Sequence, residues 1–348
     1  MDPFERIQIG NTDLNITRLG FGGGTLGNPT EIIDEAQAWD TMAAAYDGSI
    51  RHFDTAPWYG LTRSEHRIGR YLETQSRDSF TVATKVGRVM FAPEDPAAFR
   101  NSKWMQRWPG GLPFDLRFDY TRDGFMRSYE DSLQRLGINR VDALAIHDLD
   151  TRHRLSEEGV ATGFRELDEG GGYAALIELK KAGLVKAIGA GINLVGMIPR
   201  FVERFDLDFF LVASPYTLLD QDALDEELPM CVEHGASVII GGVFSSGILA
   251  TGAVPGALYA YQPAPAQIME KTRRIEEVCT RYDVPLPAAA LQFPFGHPSV
   301  VSVIPGANSR QIVESNIEAM KIKIPGDLWA ELKQEELLRE DAPVPDSA

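Results

Sequence analysis

Eight short apolar segments alternate along the chain with amphipathic helical segments, and this alternation is the feature that most constrains the fold. Strands that are apolar on both faces are typical of a parallel sheet covered by helices, and each parallel neighbour is reached through a helical crossover. The pattern predicts one α/β domain over residues 1–348, a (β/α)8 TIM barrel, with an open doubly wound sheet as the alternative. The predicted strands are Thr17–Gly22, Ile50–Asp54, Phe80–Val86, Val141–His147, Val185–Gly189, Phe209–Ala213, Ser237–Val243 and Val300–Pro305.

Local end signals and apolar stripes mark the amino-terminal segment and the first three helices. Two strand-like runs around Gly10-Asn11 predict a hairpin over residues 1–17. The tetrapeptide Thr62-Arg63-Ser64-Glu65 is a capping box and predicts the start of the second helix. Apolar stripes predict the covered faces of the other two, with Ala36, Trp39, Ala43 and Tyr46 on the first helix and Phe125, Tyr129, Leu133 and Leu136 on the third.

Two connections are longer than is usual in a compact domain. Gly87–Asp119 follows the third predicted strand and is rich in aromatic residues, whereas Asp148–Gly172 follows the fourth and is charged. Long structured loops often cover a binding site, so both are expected to line the substrate. The alternative is that their aromatic residues only anchor the loops to the barrel. Residues 339–348 are expected to form a mobile tail.

Charge and cysteine content exclude several classes of partner. The chain has 34 Lys and Arg against 50 Asp and Glu, a formal net charge of −16, which argues against nucleic acid or an anionic membrane surface as partner. Cys231 and Cys279 cannot form a disulfide framework, and the amino terminus lacks a signal-peptide core. We therefore expect a cytoplasmic protein with a small-molecule substrate; the sequence leaves the oligomeric state open.

Four chemically active residues fall where predicted strands end. Asp54 and Tyr59 follow the second strand, Lys85 ends the third, and His147 ends the fourth. Brought together, a phenol, an ammonium, a carboxylate and an imidazole can move a proton to or from a carbinol or carbonyl oxygen. Such a phenol suits a reaction whose other half is hydride transfer, which requires a nicotinamide because no side chain accepts hydride. Lys85 is expected to lower the pKa of Tyr59.

The motifs around these residues resemble the aldo-keto reductase superfamily over nearly the whole chain. They are FDTA and YG at residues 53–60, ATK at 83–85, SLQRL at 132–136, GGVFSSGILATG at 241–252 and SVIPGANSRQIVESN at 302–316. The resemblance implies the barrel fold and a dehydrogenase that uses NAD, or NADP. It also implies the roles of the four residues: Tyr59 as general acid and base, Lys85 lowering its pKa, Asp54 orienting Lys85, and His147 orienting the substrate.

The resemblance further implies a set of cofactor contacts. Asn193 corresponds to the residue that binds the carboxamide, and Phe244 to the aromatic that stacks on the nicotinamide. NADP-preferring members carry a lysine and an arginine where this chain has Gly306 and Ile312, so NAD is favoured over NADP. The full expected set is Gly22, Gly23, Asp54, Asn193, Ser214, Phe244, Ser245, Gly247, Leu249, Gly306, Asn308, Ser309, Ile312 and Asn316.

Within the superfamily the chain resembles bacterial aldose 1-dehydrogenases of the threo-aldose, galactose and fucose type. The implied reaction oxidises the anomeric hydroxyl of a cyclic aldose to the lactone. The expected substrate-binding residues are Trp58, Tyr59, His147, Trp104 and Trp108. Pyridoxal 4-dehydrogenase resembles the chain almost equally well, and a general aldehyde or ketone reductase is a further alternative. A non-catalytic nicotinamide-binding regulatory subunit is the alternative from another class.

Other sites are disfavoured by the residues themselves. Gly22–Gly27 spells G-x-G-x-x-G, but Pro29 prevents the helix that a Rossmann fingerprint needs immediately afterwards. A G-x-S-x-G hydrolase elbow does not fit the sequence around Ser245 and Ser246. The six histidines lack ligand-like spacing, so no metal is expected.

Overall fold

The computed structural model of the protein describes residues 1–29 and 31–346. The strands are β1 (Arg6–Gln8), β2 (Asn15–Thr17), β3 (Phe21–Gly22), β4 (His52–Asp54), β5 (Thr81–Val86), β6 (Arg88–Phe91), β7 (Asp115–Phe118), β8 (Ala143–His147), β9 (Ala187–Ile192), β10 (Phe209–Ala213), β11 (Ser237–Gly241), β12 (Leu258–Tyr259), β13 (Gln262–Pro263) and β14 (Val300–Ile304). The helices are α1 (Glu35–Asp47), α2 (Arg63–Leu72), α3 (Pro96–Phe99), α4 (Lys103–Arg107), α5 (Arg122–Leu136), α6 (Thr151–Arg154), α7 (Glu157–Asp168), α8 (Gly172–Lys181), α9 (Met197–Val202), α10 (Glu227–Glu233), α11 (Ile248–Thr251), α12 (Ala266–Arg281), α13 (Leu286–Gln292), α14 (Arg310–Lys321) and α15 (Gly326–Gln334).

Eight parallel strands form the barrel in the order β3-β4-β5-β8-β9-β10-β11-β14. Parallel bridges from Leu19 to Val303 and from Gly22 to Gly306 join the two ends of this sheet. Each predicted strand overlaps one of the eight, although β9 ends three residues later than predicted, at Ile192. The predicted (β/α)8 barrel is confirmed, and parallel strands bring all their carboxyl ends to one rim.

The amino-terminal hairpin closes the opposite end of the barrel. β1 and β2 pair antiparallel, as predicted. Ile9, Leu14 and Ile16 are buried in one cluster with residues that point into the barrel from β5, β8, β9, β10, β11 and β14. On β5, β8 and β9 the barrel residues of this cluster are all alanine, whereas β10 contributes Phe209 and Leu211. Small residues facing large ones fill the interior, so the barrel is a packed core and its carboxyl-end rim is the exposed mouth.

The covered face of α1 differs from the predicted stripe. The residues it buries are Ala38, Thr41, Met42, Ala44 and Ala45. Trp39 is 42% exposed and packs edge-on against Tyr71 of α2, with ring centroids 5.1 Å apart. The prediction was wrong because small residues let α1 approach its neighbours closely, which leaves the large aromatic at the surface.

The predicted start of α2 also lacks its capping box. Thr62 takes a left-handed conformation (φ 85°) and its side chain does not cap the helix. Glu65 turns inward, where it is fully buried and accepts hydrogen bonds from Thr84 Oγ1 at 2.6 Å and Arg135 Nε at 2.5 Å. Glu65 therefore bonds side chains from other elements and does not make the local capping bond that the motif predicted. The stripe of α5 is as predicted, and Gly137 ends that helix at φ 66°.

The long connections after the third and fourth barrel strands are present and structured. The first contains the β6–β7 hairpin with α3 and α4 between its strands, and the second contains α6 and α7. The carboxyl-terminal segment packs on the barrel, since Ala342 is fully buried and Val344 contacts the main core. The mobile tail stays a prediction, although the segment is packed as far as Val344; residues 347–348 lie outside the described part. Within residues 1–29 and 31–346, no helix has the length and apolar character needed to cross a membrane.

Candidate active site

A buried ion pair lies at the barrel mouth between β4 and β5. Lys85 Nζ is 2.6 Å from Asp54 Oδ1, and the two side chains are 1% and 3% exposed. The ammonium also donates to the carbonyl oxygen of Thr55 at 2.9 Å. Burial raises the pKa of Asp54, and Lys85 opposes that shift. A pair this deeply buried persists only because each charge compensates the other.

Tyr59 and His147 complete the group of four. Lys85 Nζ lies 4.7 Å from the centroid of the Tyr59 ring. The rings of Tyr59 and His147 are edge to face, with centroids 5.8 Å apart and planes at 88°. Tyr59 is partly exposed at the mouth, whereas His147 is buried. The structure thus brings the four residues together on one side of the mouth, from three neighbouring strands and the loop after β4.

The pKa of Tyr59 shifts in the direction opposite to the prediction. Burial is the largest cause and raises this pKa well above its ordinary value; Asp54 and Asp148 raise it further, and Arg88 opposes them. The Lys85 ammonium lies against the ring face and is compensated by the Asp54 carboxylate. The phenol therefore keeps its proton at neutral pH and is arranged as a proton donor.

Arg88 and Asp148 form a second buried ion pair beside His147, which sequence reasoning missed. Arg88 Nη2 is 2.8 Å from Asp148 Oδ2, with side chains 2% and 8% exposed, and His147 Nε2 is 3.3 Å from the same oxygen. Burial lowers the pKa of His147 well below its ordinary value; Asp148 opposes this, and Arg88 and Lys85 add to it. The imidazole is thus neutral. The only sequence signal was adjacency, since Asp148 follows His147 directly and Arg88 lies three residues after Lys85.

Asn193 is held by the same acidic segment. Its Nδ2 donates to Asp148 Oδ1 at 2.5 Å and lies 3.3 Å from Asp150 Oδ2. Asp150 also pairs with His153, at 2.8 Å. Asp148, Asp150 and His153 are the metal-ligand-like group found in the described ranges. The Arg88 guanidinium and the Asn193 amide already occupy these carboxylates with donors, an arrangement that favours a hydrogen-bonded network over a cation.

The predicted tryptophans form an aromatic wall beside Tyr59. Trp58 packs edge-on against Trp104 and Trp108, with centroids 5.3 and 5.5 Å away, and Trp108 lies 6.2 Å from the Tyr59 ring. Trp108 is only 3% exposed, so it packs behind Trp58 and does not present its own ring to the mouth. Its indole Nε1 is buried without a protein partner among the described residues.

The β12–β13 hairpin, which follows β11, reaches across the mouth to this aromatic wall. At its tip, Tyr261 is 59% exposed, and the Arg107 guanidinium lies 4.7 Å from both the Tyr261 and the Trp108 ring centroids. The tip residues Ala260 and Tyr261 have left-handed backbones (φ 48° and 63°), conformations that favour glycine. Arg107 and Tyr261 were not predicted, because contact between two distant loops has no signal in either segment.

Apart from Asp54, already described, and Gly23, described below, the expected cofactor residues divide into two groups. Most follow the carboxyl ends of barrel strands and are at least partly exposed or offer backbone there: Gly22, Asn193, Ser214, Phe244, Ser245, Gly247, Gly306, Asn308, Ser309 and Ile312. Leu249 is fully buried in the main core, so its side chain does not reach the mouth. Asn316 is 7% exposed on α14, two helical turns from the helix start. Cofactor contacts from Leu249 and Asn316 stay predictions, and a contact from Leu249 would have to come from its backbone.

The glycines at 22–27 serve the packing of the barrel. Gly23–Gly27 is a short 3-10 helix, so the Rossmann fingerprint is not formed. A Cβ at Gly22 would lie 2.5 Å from the carbonyl oxygen of Ile304, and one at Gly23 would lie 2.6 Å from that of Asp54. These two glycines allow β3 to approach its neighbours. Gly24 instead faces open space, with nothing within 4 Å of a Cβ.

Comparisons with known proteins agree with this geometry. Residues 18–336 match the model of the Aldo/keto reductase family. The chain is 37% identical over 343 residues to the pyridoxal 4-dehydrogenase of Microbacterium luteolum, covering 96% of this chain and 98% of that protein. It is also 37% identical over 336 residues to the D-threo-aldose 1-dehydrogenase of a Pseudomonas species, covering 93% and 95%.

A solved structure shares the architecture. The aldo-keto reductase of Bacillus halodurans in its holo form superposes with a TM-score of 0.71 at 24% identity, covering 99% of this chain and 98% of that one. At that identity the likeness shows the fold alone. From the family match and the two dehydrogenase relatives, the chain belongs to the aldo/keto reductase family and is an NAD(P)-dependent oxidoreductase.

Proposed function

We propose that this protein oxidises the anomeric hydroxyl of a cyclic aldose to the lactone, with NAD as the hydride acceptor. The observation that carries the proposal is the buried Lys85–Asp54 pair lying against the face of Tyr59, with His147 at the edge of that ring. A relative named D-threo-aldose 1-dehydrogenase, 37% identical, supports the substrate class.

The four residues divide the proton chemistry among them. Tyr59 exchanges a proton with the anomeric oxygen, while a bound nicotinamide supplies the hydride acceptor. His147, neutral and buried, orients that oxygen by hydrogen bonding. Asp54 accepts a hydrogen bond from Lys85 and holds it in place below the ring. Because the pKa of Tyr59 is raised, its proton must leave before it accepts another, so oxidation is favoured at alkaline pH.

The turn after β11 is the segment that we assign to the phosphates of the dinucleotide. Gly242, Ser245, Ser246 and Gly247 all have left-handed backbones after β11. The amides of Ser245 and Gly247 donate within this turn to the carbonyl oxygens of Gly242 and Phe244, so the turn is held in its shape by its own backbone. A Cβ atom built at Gly247 would have no neighbour within 4 Å, so the space beside this turn is open. These residues fit the phosphates of a nicotinamide cofactor, with Phe244 beside them for the ring.

The adenosine end favours NAD over NADP. Asn308 Nδ2 donates to Glu31 Oε2 at 2.8 Å, and Arg310 Nη2 is paired with Asp40 at 2.6 Å. A carboxylate near the ribose favours a 2′-hydroxyl and repels a 2′-phosphate. The nearby arginine is already neutralised, and Gly306 and Ile312 offer no charge.

Pyridoxal is the second candidate substrate. The other 37% identical relative is named pyridoxal 4-dehydrogenase, and an aromatic wall of Trp58 and Trp104 suits a flat pyridine ring as well as a sugar face. General aldehydes and ketones are the third class.

One assay separates these readings. Absorbance of the reduced nicotinamide is followed with purified protein against a panel of aldoses, pyridoxal and simple aldehydes, each with NAD and with NADP. We expect oxidation of at least one aldose with NAD. Turnover of pyridoxal alone would replace the aldose proposal, and cofactor binding without turnover of any compound would favour a regulatory subunit.

A further inference from the structure

The Asp148 carboxylate contacts three side chains at the mouth. Its Oδ2 is 2.8 Å from Arg88 Nη2 and 3.3 Å from His147 Nε2, and its Oδ1 accepts from Asn193 Nδ2 at 2.5 Å. It thereby links the residue proposed to orient the substrate with the residue proposed to bind the carboxamide.

The surroundings hold this carboxylate rigidly. The Arg88 guanidinium lies between two rings, 4.9 Å from the centroid of Trp58 and 5.0 Å from that of Phe118. The Tyr120 hydroxyl lies 2.9 Å from the carbonyl oxygen of His147 and 3.3 Å from that of Asp148. Asp148 itself has a left-handed backbone (φ 51°), which such contacts must stabilise.

A rigid acceptor on Nε2 determines which nitrogen of a neutral imidazole carries the proton. The Asp148 oxygen lies 3.3 Å from His147 Nε2, a contact that favours the proton on Nε2 and leaves Nδ1 as the nitrogen with a lone pair. That atom is buried and has no protein partner in the part of the chain that the structure describes. Arg88 in turn keeps two nitrogens, Nε and Nη1, without partners there, so its one ion pair is directed wholly at Asp148.

We propose that Asp148, held by Arg88, is a positioning residue that sets the tautomer of His147 and the orientation of Asn193 together. The inference rests on the proposed function for its effect on turnover, but not for its effect on the histidine. Asp148 acts through these two residues and contacts neither substrate nor cofactor in this role.

Asp142 offers a matched control at the other end of β8. It is 4% exposed, pairs with Arg77 at 2.7 Å and accepts from the backbone amide of Val82 at 2.8 Å. Asp148→Asn and Asp142→Asn therefore each remove one buried charge from an arginine pair on the same strand. Only the first of them touches His147 and Asn193.

The first test measures the imidazole nitrogens of His147 by 15N NMR in the full chain, together with steady-state kinetics. We expect wild type and Asp142→Asn to show one tautomer protonated at Nε2, and Asp148→Asn to show a mixture. We expect Asp148→Asn to lower kcat by about 10- to 10²-fold and to weaken NAD binding several-fold, while Asp142→Asn stays within about twofold in both. An unchanged tautomer in Asp148→Asn overturns the proposal even if turnover falls.

A second variant carries the test if Asp148→Asn does not fold. Arg88→Met keeps an apolar side chain between the two rings but leaves the Asp148 charge beside His147. The groups that act on His147 are then Asp148 and Tyr59 on one side and Lys85 and His153 on the others. Because Arg88 no longer depresses it, the pKa of His147 rises, and kcat should fall as pH drops through that value.

Wild type should show no such acid limb, because the pKa of its His147 lies well below the ordinary value. A loss in Arg88→Met that is equal at every pH would indicate a merely structural role and overturn the proposal; Arg88→Lys, which keeps the charge, should restore the wild-type profile. If wild type oxidises no compound in the panel, the proposed function fails while the NMR result still decides the positioning role.

Discussion

The two ends of β8 carry the same kind of ion pair and use it differently. At the amino end, Asp142 bonds Arg77 and the backbone amide of Val82, which fastens β8 to β5. At the carboxyl end, the Asp148 carboxylate pairs with Arg88, accepts a hydrogen bond from Asn193 and lies 3.3 Å from His147 Nε2, so all its partners are side chains. A carboxylate that satisfies backbone stabilises the barrel, whereas one that holds side chains arranges a site. This division matches the general rule for such barrels.

The rims differ in the same way. The hairpin residues Ile9, Leu14 and Ile16 fill the amino end with apolar side chains. In residues 1–29 and 31–346, buried polar atoms without protein partners occur at both ends: Arg18 Nε, His52 Nε2 and Arg77 Nε at the amino end, and Arg88 Nε and Nη1, Trp108 Nε1 and His147 Nδ1 at the carboxyl end. Unsatisfied buried groups cost stability, and at the carboxyl end those of Trp108 and His147 belong to rings that pack against Tyr59, where a bound molecule would satisfy them. Substitutions at the two ends should therefore separate activity from stability.

The largest expected effect is that of Tyr59→Phe. Removing the hydroxyl should lower turnover by at least about 10²-fold with little change in cofactor affinity, because a positioned acid or base contributes about that much. Tyr129→Phe is the control, since Tyr129 is buried on α5 and its hydroxyl has no partner in the described part. Steady-state kinetics and NAD titration measure both. Equal turnover in the two variants would remove Tyr59 from the reaction.

Lys85→Met should affect both activity and stability. It leaves Asp54 buried without its ammonium, which costs about 3–5 kcal/mol of unfolding free energy, and turnover should fall by about 10-fold or more. Lys180→Met removes a more exposed partner of Asp208, 34% exposed and 2.6 Å away, at the amino end of β10. That change should cost about 1 kcal/mol or less and leave turnover unchanged. Urea unfolding and kinetics test both; similar stability losses would contradict the contrast in burial.

The raised pKa of Tyr59 predicts opposite pH dependences for the two directions of reaction. Oxidation needs the phenolate, so its rate should rise about tenfold per unit as pH increases toward that pKa. Reduction needs the protonated phenol, so it should persist at neutral pH and decline only when pH passes the same value. Rates of both directions between neutral and alkaline pH measure this. An oxidation rate that is flat over this range would mean that the phenol is already ionised.

The smallest effect is expected at the adenosine end of the mouth. Glu31→Gln should reduce the preference for NAD over NADP by about 3- to 10-fold, because one partly screened charge near the ribose is lost. Glu336→Gln, an exposed change on the turn after α15, is the control. Binding of both cofactors to each variant measures the ratio. Tighter NADP binding by the wild type would show that a cation such as Arg310 contacts the phosphate.

Local sequence patterns predicted much of this molecule. Apolar runs such as Phe209–Ala213 predicted all eight barrel strands, since burial on both faces leaves no alternating pattern. The four residues at strand ends were brought together because parallel strands finish at one rim. Turn and cap signals succeeded where they are purely local, as at Gly137, and failed at Thr62, where Glu65 found better partners across the core.

What the sequence determined by itself was therefore the barrel, its direction and the residues at its mouth, because hydrophobic periodicity and strand polarity are properties of short segments. Only the tertiary structure decided the charge environment. Burial, followed by Asp54 and Asp148, raises the pKa of Tyr59, and Arg88 meets Asp148 although they are 60 positions apart in the sequence. Desolvation and ion pairing depend on distances between distant segments, and no segment alone contains those distances.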